Sequence, residues 1–579
     1  MTGFLREPVV AVRLKQPLCS RTFGVAPCLA VGDKCFNTTV TCKYRTALDM
    51  TATLDLWFVM DEAHPWIDAP GAFQPALALA SLQSVDTAPT VLNVASGSRD
   101  ASPLGLRAVS SIRLKDHPYN GVGVDPYVNT RPYISENQGS FWPNWLARNP
   151  YHVGYEIETY EGYRGDALAA MVKRQFNVEK IDAGRDGVLI TSKDILRKIT
   201  DTGVTAPALS PGSLASPILA AATSLTIAGA VLADYPATGL IRIDSEIISY
   251  SARSGTSNIT FTGLLRGLLN TVPADHSQNV RVQRVLAYEN VRCDAILYDL
   301  TTVWGLIAPA KVNLAAWTAE ADEWRPEFIF TAYITEPTLV DDLMGEVCLQ
   351  SLLNVWWDER LQLVQLRAQR PEAVVPLISD DADIFAKSFS IAEKPQERAS
   401  QIHVYYQPRS KTASVGDRFN YERAAVFIDV KKQIDYGGEP AVRELFCRFI
   451  QTDAIAGNLA ATYLGRFADV RREVTFDLTV EDTFWTGNSV KISHFLDVDF
   501  YGAPKQNLWM ITSAQSIEPG ARYRFTAEDN GMVGVLWAWV DDAIPEWASA
   551  SAVQKATIGY WTNDDDTDLD GNPSPFRWL

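Results

Sequence analysis

The chain has 579 residues, 47% of them hydrophobic and 21% charged, the composition of a folded globular protein, and at roughly 150 residues per domain it has room for about four cores. A formal net charge of −17 excludes a protein that holds nucleic acid by neutralising phosphates, though not one that DNA passes transiently. Sixteen tryptophans and 31 prolines point to a β-rich, loop-rich architecture.

In chain order, "MTGFLREPVVAVRLKQPLC" scatters charges where a secretory signal would carry a continuous apolar run, which places synthesis and assembly in the cytoplasm. The next segment holds four of the seven cysteines, Cys19, Cys28, Cys35 and Cys42. Their C-x8-C-x6-C-x6-C spacing is too open for the paired knuckles of most zinc sites, yet short enough for one loop to gather four thiolates. Gly24, Pro27 and Gly32 supply turns between them, and Arg13, Lys15, Arg21, Lys34, Lys43 and Arg45 form a basic surround for an anionic metal–thiolate centre. This reading assigns the four cysteines to an iron–sulfur cluster that pins the loop, with zinc as the runner-up; the other readings are four buried free thiols or two disulfides.

"RGDALAAMVKRQF", residues 164–176, reads as a helix. A Pro-, Gly-, Ala- and Ser-rich linker follows at 202–222, with a small inserted β unit over 223–285. "ASPILAAATSLTIAGAVLA", 215–233, is uncharged and long enough to span a bilayer, but Pro217, Gly229 and its Ser/Thr content favour a linker running into a strand, with no stable membrane insertion. "LVDDLMGEVCLQSLLN" reads as a helix, and "VRVQRV", "LQLVQLRA", "QIHVYYQ" and "EVTFDLTV" alternate as half-buried strands do. "TDAIAGNLAATYLGRFADV" presents a stripe of Ile455, Leu459, Tyr463 and Phe467 behind a Thr452/Asp453 cap, a helix over 452–470.

No catalytic constellation emerges. The six histidines have no H-E-x-x-H spacing, there is no phosphate loop or G-x-S-x-G elbow, and "NGVGVD" at 120–125 reads as a surface turn. His276 reads as a loop histidine. Asp358 and Glu359, beside Trp356 and Trp357 in "WWDERLQL", read as a β-turn rather than a sugar-cleaving carboxylate pair. In the acidic tail, Asp566, Asp568, Asp570 and Gly571 match half of a calcium loop, but Arg577 stands where the closing glutamate belongs, so a solvated turn is preferred to a calcium site. Phe576, Trp578 and Leu579 there suggest an anchor onto a neighbouring protein.

Several segments together resemble a family. "GSFWPNWLARNPYHVGYEIETYEGY" followed by "FNVEKIDAGRDGVLITSKDILRKIT" is similar to the N-terminal half of tail-tip or baseplate hub proteins of long-tailed, siphovirus-type bacteriophages and gene-transfer agents. "IRIDSEIISYSARSGTSNITFTGLLRGLLNTVPADHSQNVRVQRV" is similar to a small β module of phage tail proteins, and "YITEPTLVDDLMGEVCLQSLLNVWWDERLQLVQLRA" with "ERASQIHVYYQPRS" to the centre of the hubs. The resemblance implies a mainly β chain with α+β elements and two tube-type β-barrel domains. Its expected layout is an N-terminal hub region with the four-cysteine loop and a barrel (1–201), the linker, the inserted domain, a central α+β hub domain (286–395), a second barrel with the helix (396–544) and an extended arm (545–579). It further implies a structural, non-enzymatic homotrimer at the virion tail tip that joins tail tube to tip and lines the DNA-ejection channel. Its partners would be the distal tail protein, the tape-measure protein and tail fibre or tip proteins. Lambda-type tail-tip proteins carry a four-cysteine motif for a [4Fe–4S] cluster toward the C-terminus, whereas here the cysteines are N-terminal. Two other classes stay open: a receptor- or glycan-binding tail protein using the inserted unit, and a tail-associated envelope-degrading hydrolase.

Overall fold

The computed structural model describes residues 7–32, 35–60, 76–94, 102, 104–118, 139–184, 187–200, 203–370, 375–380, 382–479, 484–518, 521–529, 538–539, 549, 551 and 558–559. The turn at 120–125, Lys34 and the acidic tail with its calcium-like half-loop and aromatic anchor lie outside the described residues.

The protein is mainly β, built of several sheets with helices packed between them. The first unit is an eight-stranded sheet made of β1 (Pro8–Leu18), β2 (Ala52–Val59), β3 (Ala76–Leu79), β4 (Leu82–Ala88), β5 (Val109–Leu114), β6 (Glu156–Tyr163), β7 (Val172–Gly184) and β8 (Gly187–Lys193). Their spatial order is β3-β2-β1-β6-β7-β8-β5-β4, antiparallel throughout except for β2 and β3. Alternation along β1 decides its two faces. Val10, Val12 and Leu14 turn toward the helix Phe141–Arg148, whose Phe141, Trp142 and Trp145 complete the larger core. Val9 and Ala11 turn to the other face with Trp57, Tyr160 and Met171.

Residues 164–176 correct the helix reading. Gly165, at φ +93°, opens a short turn, a single 3-10 turn covers Leu168–Ala170, and Val172 begins β7, which pairs with β6 and β8. The alanine-rich stretch has local helix propensity, but pairing of 172–177 with β6 and of 177–184 with β8 satisfies the backbone of β7 and buries Phe176 and Val178, which outweighs propensity.

The inserted unit has its own core around Ile227, Ile241, Ile248, Tyr250 and Phe261. A four-stranded and a three-stranded sheet enclose it, and its first strand, Ser213–Leu214, lies within the stretch read as linker. Residues 215–233 run through turns into the strand Ser224–Ala228, and no helix among the described residues is long and apolar enough to cross a membrane.

The central core joins the helices Cys293–Asp299, Leu314–Trp324, Val340–Ser351 and Asp453–Phe467 to the strands Leu286–Arg292, Ile329–Ile334, Leu353–Asp358, Leu363–Ala368, Gln401–Pro408 and Val442–Cys447. The helix expected at 452–470 is Asp453–Phe467, with the Thr452 side chain accepting the Ile455 N–H, and it packs in this core. A six-stranded sheet, in the order 377–379, 489–493, 507–518, 522–529, 471–478, 390–394, encloses a separate core with Trp485, Trp509 and Phe525. It docks on the eight-stranded sheet: the Leu92 N–H donates to the Thr512 carbonyl at 2.9 Å, and Gln515 Nε2 to the Thr87 carbonyl at 2.9 Å.

Candidate functional site

The four cysteines lie in the connection between β1 and β2, neighbouring antiparallel strands whose last paired residues are Leu18 and Ala52. The loop therefore caps one end of the eight-stranded sheet. Its entrance is fixed by mutual bonds: the Cys19 N–H donates to the Asn37 carbonyl at 2.7 Å, and Asn37 Nδ2 donates back to the Cys19 carbonyl at 3.3 Å. Asn37 has φ +58°, a conformation that asparagine tolerates better than most residues, and Gly24 and Gly32 take φ +73° and +88° at the intervening turns. The Asp49 N–H points at Cys19 Sγ (3.5 Å), and Arg21 pairs with Asp49 at 3.0 Å. The Arg148 guanidinium sits 3.8 Å over the Phe36 ring, tying the loop to the helix below it.

All four thiols are free; Cys28 and Cys35 are buried, Cys19 and Cys42 half-buried. Burial, and behind it the charges of Cys42, Cys28 and Cys19, pushes the Cys35 thiol up. Among the described residues no group of three or more His, Cys, Asp or Glu side chains stands ready to hold a single metal ion.

The basic surround is corrected in part. Arg13 and Lys15 project from β1 onto carboxylates of β2 and β6: Arg13 Nε donates to Glu158 Oε2 at 2.6 Å and Nη1 reaches Asp55, while Lys15 binds Glu156 and Glu158. Glu158 is buried; burial raises its pKa, but Arg13, the Tyr160 hydroxyl and Lys15 outweigh this and hold it at about 2. These cations are spent within the sheet, because alternation places residues 13 and 15 over the same face as Asp55, Glu156 and Glu158.

The other residues singled out from the sequence are dispersed. Trp356 and Trp357 end the strand Leu353–Asp358, Asp358 Oδ1 accepts the N–H groups of Arg360 and Leu361, and the chain returns at Leu363, as a β-turn reading requires. His276 is buried in the inserted unit, where its ring nitrogens bridge Asp244 and Glu246. Sequence reading passed over that network; the signal for it was the charged Asp244, Glu246 and Arg266 placed among strand residues. A cavity of about 620 Å³ beside the helix Val340–Ser351 also went unseen.

No family model matches the chain, and no curated protein does. Among solved structures it is similar to the 43 kDa tail protein of prophage MuSo2 from Shewanella oneidensis, at 10% identity over 77% of this chain and 97% of that one, with a TM-score of 0.37. It is similar to a chain of the virion of a native gene transfer agent particle, at 13% identity over 56% and 84%, TM-score 0.31. It is also similar to an Escherichia coli component of the type VI secretion system described as resembling the T4 tail proteins gp27 and gp5, at 8% identity over 78% and 74%, TM-score 0.30.

Proposed function

We propose that this chain is a structural subunit of a phage or gene-transfer-agent tail tip, the hub to which tail tube and tip attach. The observation that carries the reading is the agreement between the hub-like segments of the sequence and the units of the fold. Residues 139–200 supply three of the eight strands of the first sheet, 241–285 fall in the self-contained inserted unit, and 333–368 with 397–410 form part of the central α+β core. Two large, mainly antiparallel sheets docked on each other, with a small β unit inserted between them in the chain, are the parts that a hub of two tube-type barrels needs. Three copies would then close a pseudo-sixfold ring around a DNA channel, in contact with the distal tail, tape-measure and fibre or tip proteins. The net charge of −17 suits that passage. The role is non-enzymatic. Electron microscopy of the particle tip tests it: a threefold axis through this chain is expected, and sixfold or twofold copies overturn the trimeric hub.

For the four-cysteine loop we propose a [4Fe–4S] cluster held by Cys19, Cys28, Cys35 and Cys42, with zinc as the alternative. Four unlinked thiols in one loop at the end of β1 and β2, two of them buried, form a donor set for such a centre. The cluster would supply a cross-link that holds the loop on the end of β1 and β2.

A further inference from the structure

We propose that the cleft between the strands Ile329–Ile334 and Val442–Cys447 is a docking groove for an extended, lysine- or arginine-bearing segment of another protein chain, bound by strand addition. The two strands belong to different sheets, and among the described residues each ends its sheet: the first pairs only with Leu286–Arg292, the second only with Gln401–Pro408. Each therefore has a second edge whose backbone N–H and C=O groups point out of the sheet. The edges are tied at one point, where the Thr331 N–H donates to the Phe449 carbonyl at 3.1 Å and Gln451 Nε2 donates to the Thr331 carbonyl at 2.9 Å.

Beyond that tie the cavity of about 620 Å³ opens, with Ala332 and Tyr333 on one wall, Glu444 and Phe446 on the other, and Glu346 and Gln350 on the helical floor. That volume falls in the range of pockets that enclose small ligands or short peptide segments. A strand laid along it would meet a backbone edge, which is how extended peptides are recognised at open sheets.

The charges of the lining select the guest. Arg448 is consumed by a two-pronged pair with Glu346, at 2.7 and 2.6 Å, and Glu336 is paired with Arg242, so among the lining residues the exposed Asp342 and Glu444 face one further cation, Lys411. That acidic excess favours a cationic segment and opposes an acidic one.

The test uses the full chain and the fluorescein-labelled peptide acetyl-Thr-Lys-Val-Lys-Val-Lys-Thr-amide, read by fluorescence anisotropy. Saturable binding is expected. It should weaken about tenfold or more when the lysines are replaced by glutamates, and by a similar factor when alternate backbone nitrogens are methylated so that strand pairing is blocked. The variants Glu444→Lys and Asp342→Lys should each weaken it likewise; position 444 is exposed, so Glu444→Lys leaves the fold intact and decides the matter if the other misfolds. Absence of saturable binding, equal binding of the methylated peptide, or displacement of the peptide by chitohexaose would each overturn the proposal, the last by making the groove a saccharide site.

Discussion

His276 Nε2 and Glu246 Oε2 meet at 2.8 Å inside the inserted unit, and the other ring nitrogen of His276 meets Asp244 Oδ2 at 2.8 Å. Glu246 also accepts both prongs of Arg266 at 2.7 Å and the N–H groups of Gly267 and Ala274 at 3.0 Å. The carboxylate is a hub that pins the loop 266–276 to the strand Glu246–Tyr250. Burial raises its pKa, but Arg266, His276 and the Ala274 N–H outweigh burial and hold it at about 2. Its folded value lies below the unfolded one of about 4.3, so its stabilisation is present above that pH and is lost as pH falls toward 2.

Replacing the hub carboxylate, Glu246→Ala, should therefore destabilise the inserted unit by about 3–5 kcal/mol, since the buried Arg266 would lose its counter-charge and His276 Nε2 its partner. Because the unit has its own core, hydrogen exchange should accelerate across 213–284 and stay unchanged in the eight-stranded sheet. Uniform acceleration along the chain would show that the unit is not energetically separate.

Glu359 carries the opposite sign. Burial, only partly offset by Arg174 and reinforced by Asp358 and Asp194, pushes its pKa up to about 7. It sits where three units meet: Arg174 comes from β7 and pairs with Glu161 of β6 at 3.5 Å, and the Arg174 guanidinium lies 5.4 Å over the Trp485 ring of the six-stranded unit. A folded pKa above the unfolded value means stability that is full below about pH 4.3 and is lost as pH rises through 7. Glu359→Gln should flatten that slope and raise stability at pH 8 by on the order of 3 kcal/mol. Urea unfolding at pH 5 and pH 8 measures both; an unchanged pH slope would refute the assignment.

Trp145 should be among the most costly residues to truncate in the N-terminal unit. It is 1% exposed, packs edge-on against Trp142, and donates from Nε1 to Gln16 Oε1 at 2.8 Å. Trp145→Ala should cost about 3–5 kcal/mol through the cavity it leaves. Trp145→Phe keeps most of the packing and should cost about 1–3 kcal/mol, the loss of a partner for buried Gln16. Thermal unfolding of both variants, in that order of severity, is the check.

The four-cysteine assignment is tested by composition. Anaerobically purified protein should be brown and contain iron and acid-labile sulfide at about four of each per chain. The variant Cys35→Ser, at one of the two buried thiols of the loop, should lose the colour and expose the loop 19–51 to protease. Colourless protein containing zinc would favour the alternative, and four alkylatable thiols without metal would remove both.

The sequence by itself determined what depends on neighbours in the chain. Alternation placed the strands at 363–368, 401–408 and 471–478, the Thr452 cap and its apolar stripe placed the helix 453–467, and the turn between Trp357 and Leu363 was legible because an aspartate can accept the next N–H groups without tertiary help. The four cysteines were visible as a group because they share one loop. The tertiary structure decided what depends on segments far apart. Residues 172–176 became a strand because β6 lies beside them. Arg13 and Lys15 left the cysteine loop for Glu158, more than a hundred residues away. Glu359 met Arg174, and two strand edges separated by over a hundred residues came to line one cavity. Local hydrogen bonds and side-chain periodicity are written in adjacent residues, whereas burial and charge pairing are set by which faces the folded sheets and helices bring together.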